Sequence, residues 1–323
     1  MSLLKKGRKF LYIQLSKLGV FPVEIVFMQL VAKILPFIKL IPKSFTQKIC
    51  LKSQNEIVDY LEKKVVNNMS FEVGTENKKI PRIIWVMWAQ GIEEAPSIVQ
   101  QCNYSLHSFA KKNNFEVFQL SQSNIENFIE IPSNISILYS KGKINDANFS
   151  DYCRCALLAK YGGFWIDATV LMSKSVNDFH QITQADFFSV RNENVNDAVT
   201  NIARHRWNTS VLGASKNSQL FTFCMSFLEK YYKIFDMNID YLLIDYSMHI
   251  AYKKISNVRI SIDKVKKNNE GYSWLDKNAN KRYSAFEWQT MKAKNWCFKL
   301  SVKNKYIMKE SNMLAHVLIR KDY

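Results

Sequence analysis

The chain has 323 residues, 47% hydrophobic and 23% charged, which excludes wholesale disorder and supplies enough apolar material for one large core with additions. Its net charge of +17 is unevenly placed: residues 1–80 carry 14 basic and 6 acidic side chains, residues 81–200 carry 9 and 12, and residues 201–323 carry 22 and 10. A nucleic-acid enzyme sets its basic surface around its chemistry, so an acidic middle between basic ends argues against nucleic acid and for an anionic membrane surface or a nucleotide diphosphate.

At the amino end Lys5, Lys6, Arg8, Lys9 and Lys17 precede an apolar stretch from Leu18 to Leu40. Pro22, Pro36 and three charges (Glu24, Lys33, Lys39) make it a poor membrane span, and no small-residue cleavage site follows it. The periodicity predicts two amphipathic helices, Leu3 to Leu18 and Pro22 to Leu35, with lysines bordering the apolar face. They read either as a helical subdomain packed on the core or as a segment lying on a membrane surface. The coincidence of basic and apolar excess favours the membrane. Leu51 to Val66 reads as a third helix and Ser70 to Lys79 as a polar linker, so residues 1–78 form a basic helical extension.

A strand beginning near Ile80, a helix over Ser97 to Lys112, a strand over Phe115 to Leu120 and a short helix over Ser123 to Ile129 follow. This alternation predicts an α/β domain with a largely parallel sheet. Next, Ser150 or Asn148 can cap a helix, which places Asp151 in its first turn, where the helix dipole favours a negative charge. Asp151 and Arg154 are three apart and share a face. Gly162 and Gly163 stop the helix, and Phe164 to Ile166 form a short interior strand that delivers Asp167 at its carboxyl end. Ligands of open α/β sheets bind at that edge. Taken alone, Asp167 is a turn cap, Asp151–Arg154 a surface ion pair, and Trp85 and Trp88 core residues. Arg206 to Ser210 precede a strand over Val211 to Ala214, and from Lys264 the chain is rich in lysine and aromatic residues that cover the sheet or wrap a second substrate. The six cysteines include no CxxC pair and read as buried thiols of a reducing cytosol.

Three ordered segments carry a family resemblance. Phe149-Ser150-Asp151 with Arg154, then Tyr161-Gly162-Gly163-Phe164-Trp165-Ile166-Asp167, resembles the FSDxxR and YGGxWxD core of the capsular polysaccharide synthesis proteins. These are DxD-type glycosyltransferases akin to the initiating yeast mannosyltransferases and the glucosylating domains of large clostridial toxins. Lys79 to Trp88 is similar to the family's IPKIIWxxW first strand, and Asp240 to Tyr252 to its third motif. The resemblance spans residues 79–268. It implies a GT-A-like, Rossmann-like catalytic domain over 79–263, with 264–323 completing the site. It also implies a nucleotide-sugar donor of the UDP-hexose kind, an oligosaccharide acceptor, lipid-linked or free, and retention of configuration, while the basic, apolar amino end adds a peripheral place on the cytoplasmic face of a bacterial membrane.

The resemblance also distributes roles. Asp167 handles the donor and a Mn²⁺ or Mg²⁺ ion, while Thr169 stands where the second Asp of the motif is expected. Asp151 touches donor-sugar hydroxyls and Arg154 the phosphate side. Trp85 and Trp88 lie near the base, Asn208 borders the donor sugar, and Asp245 orients acceptor or sugar hydroxyls. His316, with Glu310, completes a metal or phosphate site near the carboxyl end. Two rival readings remain: a transferase fold that binds nucleotide or glycan without catalysis, and a basic module for anionic lipid or nucleic acid.

Overall fold

The computed structural model describes residues 12–38, 40–69, 79–173, 182–191 and 201–323. Helices α1 (Val23–Ile34) and α2 (Lys43–Lys64) precede strand β1 (Ile83–Met87), helix α3 (Ser97–Asn113), strand β2 (Glu116–Leu120) and helix α4 (Ser133–Ser140). Helix α5 (Asp146–Lys160) then leads through the double glycine into β3 (Gly163–Ile166) and β4 (Val170–Met172). Strands β5 (Phe187–Ser189) and β6 (Val211–Ala214) are followed by helices α6 (Gln219–Ile234), α7 (Leu243–Lys254), α8 (Ser256–Asp263), α9 (Trp274–Asn278) and α10 (Ala285–Lys294). Strand β7 (Cys297–Lys299) and helix α11 (Met313–Arg320) end the chain.

The five-stranded sheet has the order β2-β1-β3-β6-β5. The α/β expectation is met, but the sheet is mixed. β1 pairs in parallel with β2 and β3, whereas β6 runs antiparallel to both β3 and β5. The register gives the reason: Val211, the first residue of β6, lies opposite Ile166, the last of β3, so β6 starts at the sheet's carboxyl edge and runs back.

Side-chain alternation splits the sheet between two cores. Trp85, Met87, Trp165, Leu212 and Phe187 join α5, α6 and α7 on one face. Ile84, Val86, Phe164, Ile166, Val211 and Phe188 join α3 and the carboxyl-terminal tail on the other. The tail covers the sheet through Trp288, Trp296 and Phe298, and its β7 pairs with β4 in a separate two-stranded ladder.

The amino-terminal helices belong to the first core. Phe21, Ile25, Val26, Ile57, Val58 and Leu61 pack with α6 and α7. Lys17, one of the lysines counted toward a basic surface, is buried and donates to the Ile239 carbonyl at 2.6 Å and to Gln29 Oε1 at 3.2 Å. Burial, with Lys33 nearby, lowers its pKa to about 8 against the opposing pull of Asp240. The predicted helix over Leu3 to Leu18 lies partly outside the described residues, of which 12–17 are helical. The predicted linker lies outside them up to Asn77 and Lys78. The third helix begins eight residues earlier than expected, at Lys43, directly after Pro42, whose fixed φ suits the residue before a helix. The short helix expected over Ser123 to Ile129 is one 3₁₀ turn, Ile125–Asn127.

Candidate active site

α5 starts earlier than the Ser150 or Asn148 cap would place it. Asn145 is the cap, its side chain accepting from the Asn148 amide at 3.1 Å, with Asp146 in the first turn. Asp151 therefore sits beyond that turn, and the helix dipole favours the charge of Asp146 instead. Gly162 and Gly163 both have positive φ, +69° and +91°. A Cβ on Gly162 would lie 2.6 Å from the Lys216 amide nitrogen, and one on Gly163 2.6 Å from the Ile83 carbonyl. Only glycine allows the helix to turn this tightly into the sheet.

Strand parity then assembles the site. Trp165 and Asp167 are two apart, on the face that packs against α5, and Trp165 Nε1 donates to Asp167 Oδ1 at 2.9 Å. Arg154 reaches down from α5 over the Trp165 ring, 4.9 Å from its centroid, and pairs with Asp167 Oδ1 at 3.3 Å. The same guanidinium meets Asp151 at 3.3 Å and donates to the Thr209 carbonyl at 2.7 Å, while its Nε has no partner. On the other side of Asp167, Lys299 of β7 donates to Oδ2 at 2.6 Å.

The electrostatics follow from burial against neighbours. Burial alone would raise Asp167, but Lys299 and Arg154, with hydrogen bonds from Lys299 and Trp165, hold its pKa at about 2. Asp151 is pushed up to about 7 by burial, opposed by Arg154 and reinforced by Asp245 and Asp167. Asp245 is raised to about 6, again by burial, although Trp207 Nε1 donates to it at 2.9 Å and Arg154 favours its charged form. Burial works against the charge of Arg154, but Asp151 and Asp167 more than offset it.

A cleft of about 250 Å³ opens over this group, walled by Trp88, Gln90, Asp146, Ser150, Arg154 and Thr169 and reaching Asp167. It lies past the ends of β1 and β3, at the edge where open α/β sheets bind ligands. A second, larger cavity of about 790 Å³ lies beside β5 and residues 264–270, away from Asp167.

The structure thus brings Asp167, Arg154, Trp88 and Thr169 together at one cleft. Other expected residues fall elsewhere. Trp85 is a correction: it is 2% exposed, stacked on Phe118 at 4.8 Å and bonded to the Gly162 carbonyl, so it offers no face to a base. Its mid-strand parity with Met87 points it into the core, whereas Trp88 lies beyond the strand end. The Asp151–Arg154 pair is buried rather than a surface bridge, with Arg154 side-chain exposure of 7%, and Asp151 does not line the cleft. Asp245 is likewise a buried partner of Trp207 outside the cleft wall. Asn208 borders the site indirectly, its Oδ1 accepting from the Ser210 amide and hydroxyl in the turn that presents the Thr209 carbonyl to Arg154. His316 stacks flat on Tyr283 at 3.6 Å and Glu310 pairs with Arg320, so neither walls the cleft.

Sequence reading missed Lys299. Its short strand, with apolar Cys297 and Phe298 before it, gives little signal, and the contact spans 132 residues of chain.

A divalent ion such as Mn²⁺ or Mg²⁺ needs several oxygen ligands, charged ones above all. Here both oxygens of Asp167 are taken by cations and Trp165, Thr169 is neutral, and Asp146 is held by Tyr139 and Gln90. Among the described residues no three His, Cys, Asp or Glu side chains converge as a ligand set. The donor set does not fit the expected metal.

Residues 38–318 match the capsular polysaccharide synthesis protein family. The chain belongs to that family. Membership bears out the resemblance carried by the three motifs and, with it, glycosyl transfer as the class of activity. Among solved structures the chain is similar to one titled PaToxG Glycosyltransferase, at 16% identity and a TM-score of 0.38, covering 68% of this chain and 82% of that one. No curated protein sequence matches.

Proposed function

We propose that this capsular polysaccharide synthesis protein transfers a hexose from a UDP-sugar to a membrane-held oligosaccharide, with retention of configuration, in bacterial surface polysaccharide assembly. The observation that carries the reading is the Asp167–Arg154–Trp165 cluster at the floor of a cleft on the sheet's carboxyl edge. Trp88 offers an aromatic surface for the base. Asp167, held ionised, accepts hydrogen bonds from ribose or sugar hydroxyls, and Arg154 faces the phosphates.

In the reaction the bond from the anomeric carbon to the diphosphate oxygen breaks, and its electron pair leaves on that oxygen. The acceptor hydroxyl oxygen bonds the same carbon from the same face, and its proton passes to the departing phosphate. No side chain of the cleft is placed as a nucleophile in this scheme, so the leaving phosphate serves as base.

The membrane part of the reading rests on the amino-terminal helices. Val23, Phe27, Phe37, Leu40 and Phe45 are exposed apolar side chains, interspersed with the exposed Lys43 and Lys48. No helix among the described residues is long and apolar enough to cross a membrane. Such a face binds an anionic bilayer by burial plus charge, from the cytoplasmic side.

The test is a panel of UDP- and GDP-sugars incubated with the purified full chain, with release of nucleoside diphosphate as the readout. One donor is expected to be turned over, and Asp167→Asn to lower that turnover at least about tenfold while circular dichroism stays unchanged. A folded protein that binds a donor but cleaves none, with or without oligosaccharide acceptors, would instead favour the non-catalytic reading.

A further inference from the structure

We propose that Lys299, with Arg154, takes the place of a divalent metal ion and receives the donor's diphosphate, so that transfer runs without a metal. The inference rests on the donor-site reading above and deepens it.

Thr169 removes a negative charge at the place of the motif's second carboxylate. The backbone then brings a positive charge to the same place. β7 pairs with β4 so that Lys299 lies opposite Val170, and the Leu300 amide donates to the Thr169 carbonyl at 2.9 Å. Relative to a two-carboxylate motif, the surroundings of Asp167 have lost one negative charge and gained one positive, the latter from Lys299, which meets the cleft through Asp167 and is not itself in its wall. A divalent cation bound to Asp167 would sit against the Lys299 ammonium, 2.6 Å from the same carboxylate, and be repelled. A diphosphate carrying two or more negative charges is attracted instead.

Each cation keeps donor capacity to spare. Lys299 is anchored by its backbone, whose amide donates to the Tyr272 carbonyl at 2.8 Å, while its side chain keeps 30% exposure. The ammonium has three donors and spends one on Asp167. Arg154 lines the cleft and keeps its buried Nε–H without a partner. Left bare, that buried donor carries an uncompensated desolvation cost. As the bond to the anomeric carbon breaks, the electron pair moves onto the diphosphate oxygen, and two fixed cations stabilise charge that develops only then. Asp167 serves a second purpose in this arrangement: it holds both cations in place while the cleft is empty.

Calorimetry of the full chain with uridine, guanosine and thymidine diphosphates, each in EDTA and in Mn²⁺, tests the inference. One of them is expected to bind in EDTA, with affinity changed less than about twofold by Mn²⁺. Lys299→Met, which keeps most of the stem, is expected to weaken that binding at least tenfold, and Lys299→Arg to keep most of it. Thermal melts confirm that the variants fold, and the wild-type comparison needs no variant. Binding that appears only with Mn²⁺ overturns the role of Lys299 and leaves the donor reading standing. Equal affinity in wild type and Lys299→Met also overturns it. If no diphosphate binds in either condition, the donor reading itself fails, and the inference with it.

Discussion

Arg154→Met isolates the buried charge network. The guanidinium has 7% side-chain exposure and serves two carboxylates and one carbonyl: Asp151 and Asp167 at 3.3 Å and Thr209 at 2.7 Å. Removing one partner of a buried ion pair costs about 3–5 kcal/mol, because the other charge is left bare. Here the structure supplies partial relief, since Asp151 titrates at about 7 even with Arg154 beside it. Without Arg154 its pKa moves further up, and a proton replaces the lost cation. The sign follows from linkage. A carboxyl whose folded pKa lies above its unfolded value of 3.8 makes the protein less stable as pH rises from there through the folded pKa. Each pH unit in that window costs about 1.4 kcal/mol. The loss in Arg154→Met should therefore be about 3–5 kcal/mol at pH 8 and smaller by on the order of 1 kcal/mol at pH 5.5. Urea unfolding at the two pH values measures both numbers. Adding Asp151→Asn should flatten the pH dependence and recover much of the loss. A cost under about 1 kcal/mol at pH 8, or the same cost at both pH values, would refute the reasoning, since it would mean the pair is solvated.

Other expectations follow from single contacts. Asp167→Asn keeps the shape that Trp165 and Lys299 hold but loses the charge, and donor turnover should fall at least about tenfold, or roughly 1.4 kcal/mol in the barrier, by initial rates. Gly163→Ala should prevent folding or lower stability by several kcal/mol, whereas Gly142→Ala, with φ +65° but nothing within 4 Å of its Cβ, should cost only about 1–2 kcal/mol by denaturant melts. Phe27→Ser with Phe37→Ser should weaken co-sedimentation with anionic vesicles without lowering donor turnover, and high salt should weaken it further. Wild-type levels of vesicle binding in that variant would assign those side chains no membrane role.

Local features of the site were legible in the sequence because they are local. The double glycine, the strand after it and Asp167 at its tip are contiguous, and each residue type has one conformational reason to be there. Arg154 was legible as well, but its burial was not, since spacing on a helix says which residues share a face and nothing about what covers that face. Trp85 and Trp88 look alike in sequence, yet one lies inside the strand and the other past its end. The start of α5 was ambiguous because Asn145, Asn148 and Ser150 are all capable caps. Contacts set by topology were out of reach: Lys299 meets Asp167 across 132 residues, and Lys17 meets Ile239 across 222. The amphipathic pattern of the first helices correctly implies an apolar face, but the chain divides that face, with Phe21, Ile25 and Val26 on the core and Val23 and Phe27 facing outward.

The most direct test of the donor site is a crystal structure of the full chain with its nucleoside diphosphate, grown in EDTA. The account predicts the diphosphate in the cleft over Asp167, within hydrogen-bond reach of Lys299 and Arg154, with the base against Trp88. A nucleotide found instead in the larger cavity lined by Lys264, Lys266 and Asn268 beside β5 would contradict it.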